Sequence, residues 1–158
     1  MNFYIETTIP SFYYDTRRSL EIRSRRHWTR RWWEMPKPGA ILVTGYSVIA
    51  ELALTPGAKR NRALAMARQL PVLEETADTL EVVEFYQQHK LMPAGIFGDA
   101  THLALATIHK CDYLVTWNCK HLANPNKLDH MVRVNWMLGF ATPKIVTPIQ
   151  LLEANEND

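Results

Sequence analysis

The chain has 158 residues, 47% of them hydrophobic and 22% charged, which are globular values and exclude a disordered or fibrous chain. Eighteen Lys and Arg against sixteen Asp and Glu leave a formal charge of +2, and two cysteines, Cys111 and Cys119, are too few for a disulfide framework. No apolar run reaches the roughly 18 residues of a membrane span, and the start MNFYIETTIP lacks the charged and apolar regions of a secretory signal, so a cytoplasmic location with no membrane partner is the expectation.

In chain order, residues 2–6 (NFYIE) read as a short buried strand, with Thr7, Thr8 and Pro10 opening a helical turn. Residues 17–34 read as a long helix stopped by Pro36, Pro38 and Gly39. A second strand at 40–44 (AILVT) leads into a helix at 47–54, and Pro56-Gly57 separates this from another helix at 59–70. Residues 71–73 form a third strand, followed by a helix over 74–89 with Leu80, Val83 and Tyr86 at helical spacing. Gly98 and Asp99 open an apolar helix through Ile108; DYLVT at 112–116 is a fourth strand, 126–138 a helix and KIVT at 144–147 a last strand. Residues 1–150 read as one domain and 151–158 as a short acidic tail. Strands alternating with helices indicate an α/β class: a parallel sheet of four to five short strands covered by helices on both faces.

The charge is unevenly placed. Arg17, Arg18, Arg23, Arg25, Arg26, Arg30 and Arg31, opposed only by Glu21, give residues 17–31 a charge of +6 and leave −4 on the rest. Such asymmetry suits a polyanionic partner. The plainer reading is a solvated helix face, with Leu20, Ser24, Trp28 and Trp32 as the stripe that packs on the core.

Polar residues collect where strands end, which is where an open parallel sheet binds ligands. The first strand ends at Glu6 with Thr7 after it, and Glu51 sits on the helix after the second. Asp99 opens the helix before the fourth strand, which itself ends in Thr116, Trp117 and Asn118. Clustered carboxylates repel and are tolerated when a divalent cation sits among them. Each has a duller explanation: Asp99 as a helix cap, Glu51 as a surface residue, Asn118 as a turn former. Glu6 resists one, because Glu fits a buried strand poorly.

Four segments in this order, YIETT (4–8), SVIAEL (47–52), GDATHLALA (98–106) and DYLVTWNCKHLAN (112–124), resemble the PIN domains found in VapC-type toxins of toxin–antitoxin pairs. The resemblance implies a single PIN-like domain acting as a Mg²⁺- or Mn²⁺-dependent endoribonuclease. It implies Glu6, Glu51 and Asp99 as metal ligands, Thr7 and Thr116 as polar supports, and Asn118 at a fourth, often acidic, position. The first acid of the family is usually Asp, and here it is Glu6. RNA is the implied substrate, with the seven arginines named above contacting its phosphates. A small antitoxin and a second copy of the chain are the implied protein partners. A catalytically silent RNA-binding module is the alternative, given Glu6 and Asn118.

Other constellations carry less. Cys111, Cys119 and His121 have no recognised zinc spacing. His102 is read as a packed core histidine, with a place behind the metal ligands as the alternative, and His121 is placed near a scissile phosphate. Ser47 has no His–acid partners, and no Gly-rich phosphate loop is present. A receiver-like signalling domain would need an Asp at the end of a central strand, where the second strand has Thr44.

Overall fold

The computed structural model describes residues 1–93 and 97–157. Five strands, β1 (Asn2–Ile5), β2 (Ile41–Gly45), β3 (Val72–Leu73), β4 (Tyr113–Val115) and β5 (Lys144–Val146), form one parallel sheet in the order β3-β2-β1-β4-β5. Phe3 lies opposite Leu42 on one side and Tyr113 on the other. Among the described residues, seven helices connect them, α1 (Thr8–Tyr13), α2 (Leu20–Glu34), α3 (Tyr46–Leu54), α4 (Lys59–Arg68), α5 (Ala77–Gln88), α6 (Phe97–Ile108) and α7 (Pro125–Met137), and an eighth, α8 (Pro148–Glu156), follows the last strand.

Alternation of side chains along each strand divides the core in two. Tyr4, Val43 and Leu114 point into one layer with Val48 and Leu52 of α3, Tyr86 of α5, Leu103 of α6 and Met131 of α7. Phe3, Ile5 and Val115 point into the other with Ile9 of α1, Trp32 of α2, and Leu151 and Leu152 of α8. With both faces covered, strands this short can be apolar throughout, as the sequence indicated.

Three expectations change. The helix predicted from residue 17 starts at Leu20, with Ser19 as its cap accepting from Ile22 N at 3.4 Å. Arg17 is held out of it because its backbone N–H and its guanidinium both bond to Asp15 (3.1 Å to Oδ1, 2.7 Å from Nη2 to Oδ2), the local competition that short acidic side chains offer to helix. The inward stripe of α2 is also rotated. Leu20 is 80% exposed, while Thr29 and Trp32 are buried, and Arg25 and Arg26 are half-buried. Two arginines that a hydropathy pattern assigns to water are thus partners of the domain. Finally, the expected acidic tail from 151 is, through Glu156, the body of α8. Thr147 caps it in a reciprocal box with Gln150, and Leu151 and Leu152 pack on the sheet; Asp158 lies outside the described residues.

Candidate metal centre

The connections run from β1 outward through β2 to β3, then cross back to β4 and β5 on the other side. β1 and β4 therefore flank the point where the winding reverses, the place where ligand crevices open in such sheets. Glu6 follows β1 and Thr116 follows β4, side by side because Ile5 pairs with Val115. Thr116 Oγ1 donates to Glu6 Oε2 at 2.7 Å. Thr8 gives the same oxygen its backbone N–H at 3.0 Å and its hydroxyl proton. Each hydroxyl is oriented from behind: Trp117 N donates to Thr8 Oγ1 (2.8 Å) and Asn118 N to Thr116 Oγ1 (2.9 Å), which leaves the single proton of each hydroxyl for Glu6. Only 3% of Glu6 is exposed. Burial pushes its carboxyl above the usual range, and the charge of His102 with the threonine bonds offset that only in part.

Glu51, from α3, reaches the same space. Its Oε2 accepts from Thr7 Oγ1, and its Oε1 lies 3.0 Å from His102 Nε2. The ring of His102 is fixed at its far side by Tyr4 OH, 2.8 Å from Nδ1. Both residues are fully buried. Two glycines make the approach possible: a Cβ at Gly45 would collide with Tyr4 OH, and one at Gly98 with Glu51 Oε1. Burial is the largest influence on Glu51 and acts upward, yet the bond to His102, its charge and the Thr7 hydroxyl together leave the carboxyl below its usual value. Burial likewise acts to lower His102, and Glu51 with the charges of Glu6 and Asp99 outweighs it, raising the imidazole.

Asp99 stands one turn before His102 on α6, and its carboxyl is raised, chiefly by burial. The Asn118 side chain donates to it and works in the opposite direction, as do the charges of His102 and His121. Asn118 Oδ1 accepts from His121 N at 3.0 Å, and its carbonyl from Ala123 N at 2.8 Å. Asn118 is thus both the turn former and an orienting group for Asp99. Its amide oxygen is already occupied.

Ligand atoms of Glu6, Glu51 and His102 all lie within 4.8 Å of one another. Two of the three acids singled out by sequence are in this trio, with His102 in third place and Asp99 beside it. Thr7 bonds to Glu51 and Thr116 to Glu6. Thr8 and Tyr4 carry no site role in the sequence reading, and the bond from His102 to Glu51 matches its alternative for His102, a place behind the acids. The spacing of Asp99 and His102, i and i+3 on one helix face, was the available signal for the last.

The arginine element divides. Arg25 lies over the rings of Phe12 and Trp117, at 5.4 Å from each, and pairs with Glu21 at 3.0 Å. Arg26 donates to Asp15 O (2.6 Å), Arg30 to Tyr13 O (2.9 Å), Arg31 to Glu156, and Arg17 to Asp15. Among the described residues, Arg18 and Arg23 carry no such partner. The outer surface of α2, lined by Arg23, Arg26, Arg30, Arg31, His27 and Trp28, forms a shallow basic groove.

The three-layer parallel architecture shares its fold with solved VapC-type toxin structures. The chain is similar to Mycobacterium tuberculosis VapC20, a sarcin-ricin loop cleaving toxin (TM-score 0.58, 19% identity, 75% of this chain and 92% of that one). It is also similar to VapBC2 of Rickettsia felis, solved with a fragment of promoter DNA (TM-score 0.59, 12% identity, 93% and 98% covered). A third likeness is to a toxin–antitoxin complex from Klebsiella pneumoniae (TM-score 0.51, 20% identity, 92% and 96% covered). No protein-family model and no curated protein matches the sequence. Among the described residues no helix is long and apolar enough to cross a membrane.

Proposed function

We propose that the chain is a divalent-metal-dependent endoribonuclease that hydrolyses RNA phosphodiester bonds, and that it is the toxin of a VapC-type pair neutralised by a small antitoxin. The observation that carries this reading is the convergence of Glu6, Glu51 and His102 within 4.8 Å at the winding reversal of the sheet. The donor chemistry fits a cation. Burial leaves Glu6 undercompensated, its three donors all fall on Oε2, and among the described residues Oε1 accepts from none. Carboxylate oxygens are the ligands that Mg²⁺ and Mn²⁺ prefer.

Glu6 and Glu51, with Asp99 beside them, would hold the ion in this scheme. When bound, Mg²⁺ or Mn²⁺ supplies Lewis acidity, lowering the pKa of a water and offsetting charge on the phosphate. The chain's own part is positional. Thr8 and Thr116 fix the Glu6 carboxylate, Thr7 and His102 fix that of Glu51, and Asn118 directs Asp99. Arg18 and Arg23 with the outer surface of α2 contact RNA phosphates, while Arg17, Arg25, Arg26, Arg30 and Arg31 first hold the element in place and add their charge to its field.

Partners follow from the same reading. The exposed apolar residues Leu128, Val132 and Trp136, four apart along α7, give a face for a second copy of the chain, since contiguous exposed apolar surface marks interaction sites. The alternative of a catalytically silent RNA-binding module draws on Asn118, whose amide oxygen is taken by His121 N. Incubating the protein with labelled RNA and Mn²⁺, beside Asp99→Asn, separates the two. Cleavage lost in Asp99→Asn is expected. RNA binding without cleavage by the unaltered protein establishes the silent module, and cleavage that survives Asp99→Asn removes Asp99 from the site. Glu6→Asp, the usual acid of the family, tests whether the longer side chain limits activity.

A further inference from the structure

The geometry points to His102 as a direct metal ligand through Nε2, turning the centre toward Mn²⁺ and other transition ions over Mg²⁺; this rests on the metal-site reading above. His102 Nε2 belongs to the trio of ligand atoms within 4.8 Å, together with Glu6 and Glu51. Its distance to Glu51 Oε1 is 3.0 Å. That is a hydrogen-bond length, and it is also the separation of adjacent ligands around an ion whose bonds are about 2.1 Å long. A cation held by both residues would take the place of the Nε2 proton that donates to Glu51, that proton leaving to solvent, and Nδ1 would keep its proton and donate it to Tyr4 OH.

The opposite side of the ring supports the same role. A metal-binding imidazole characteristically uses its other nitrogen to bond an outer partner, which fixes ring orientation. Tyr4 OH stands 2.8 Å from Nδ1, inside a fully buried pair, and Gly45 exists in a place where any Cβ would strike that hydroxyl. Gly98 performs the matching service on the metal side, where a Cβ would strike Glu51 Oε1 and approach His102 Nε2. A histidine kept only for packing needs neither clearance.

Imidazole nitrogen suits transition ions, whereas Mg²⁺ holds to oxygen and to its waters. A centre of two glutamates, one aspartate and one histidine is therefore more selective than one of carboxylates alone. The consequence is a chain that binds Mn²⁺ well when Mg²⁺ is in excess.

The test is electron spin-echo spectroscopy of the purified protein loaded with one Mn²⁺ per chain, with binding of Mn²⁺ and Mg²⁺ measured by calorimetry. A nitrogen coupling of a directly bound imidazole is expected in the unaltered protein and in His121→Ala, and is expected to vanish in His102→Gln. The preference for Mn²⁺ over Mg²⁺ should fall by about 10–100-fold in His102→Gln, the scale seen when support of a metal ligand is lost. Stoichiometric Mn²⁺ without nitrogen coupling, or coupling that persists in His102→Gln, overturns the inference and leaves the nuclease reading standing. Failure to bind Mn²⁺ while Mg²⁺ binds overturns the inference alone, and failure of the unaltered protein to bind either ion overturns both. Should His102→Gln not fold, the unaltered protein and His121→Ala still decide: coupling in both supports His102, and coupling lost in His121→Ala overturns it.

Discussion

Replacing Asp15 by Asn tests how the basic element is mounted on the domain. The carboxylate is buried, with 2% of its side chain exposed, and bridges Arg17 at 2.7 Å and Lys59 at 3.1 Å. It thereby ties the segment before α2 to α4. Bonds to charged groups contribute about 1.5–3 kcal/mol each. Arg17, however, is 65% exposed and Lys59 24%, so both cations recover much of their hydration when the partner is neutralised. The amide also keeps one acceptor. A net loss of about 2 kcal/mol is the result, or roughly 4–8 °C in Tm for a chain of this size.

The pH dependence fixes the cause. Arg17 beside it holds the Asp15 carboxyl well below the usual carboxylate range, with Lys59 adding to the effect. A lowered folded-state value means the stabilisation is complete above the unfolded value of about 4 and is lost as pH falls toward the folded one. Thermal melts of both proteins from pH 7 to pH 2.5 should show a constant gap down to about pH 5 and a shrinking one below. A gap that is absent at pH 7, or that stays unchanged at pH 3, refutes the ion-pair account.

Other outcomes follow from the centre and its supports. Adding Mn²⁺ to metal-free protein at a hundred times its Kd should raise stability by about 2.7 kcal/mol, roughly 5–10 °C, and Glu51→Gln should abolish the rise; differential scanning calorimetry measures both. Gly98→Ala places a methyl against Glu51 Oε1, so calorimetric Mn²⁺ affinity should drop at least tenfold while far-UV circular dichroism stays unchanged. Thr116→Val removes a donor to Glu6 and the acceptor of Asn118 N, and urea unfolding should show a loss of about 1–3 kcal/mol. Ending the chain at residue 150 removes Leu151 and Leu152 from the core. At about 2–5 kcal/mol for each such side chain, the truncated protein should melt far lower or fail to fold, whereas a disordered tail would leave Tm unchanged.

The fold was legible because its signals are local. Five short apolar runs separated by helical periodicity fix a parallel sheet, and acids placed just after those runs are carried to one edge whatever the details of packing. Glu6 and Glu51 are brought together in this way, and Thr7 and Thr116, which the resemblance implied as supports, bond to them. What sequence concealed depends on partners far along the chain. Arg25 and Arg26 read as solvated until Phe12, Trp117 and Asp15 are brought beneath them. His102 read as core because its neighbours in sequence are apolar, and its chemical partners, Glu51 and Tyr4, lie 51 and 98 residues away. The helix from Pro148 was hidden by its polar outer face, although Thr147 and Gln150 form its capping box and Leu151 and Leu152 give it an inner one.

The central claim is that Glu6, Glu51 and Asp99 hold a metal with which the protein cuts RNA. Its most direct measurement is cleavage of a labelled, structured RNA by the metal-free protein, the Mn²⁺-loaded protein and Mn²⁺-loaded Glu51→Gln, each at matched concentration. The account predicts cleavage only by the loaded, unaltered protein, with at least a hundredfold loss in Glu51→Gln. Cleavage that persists without metal, or that Glu51→Gln carries out at the full rate, would contradict it.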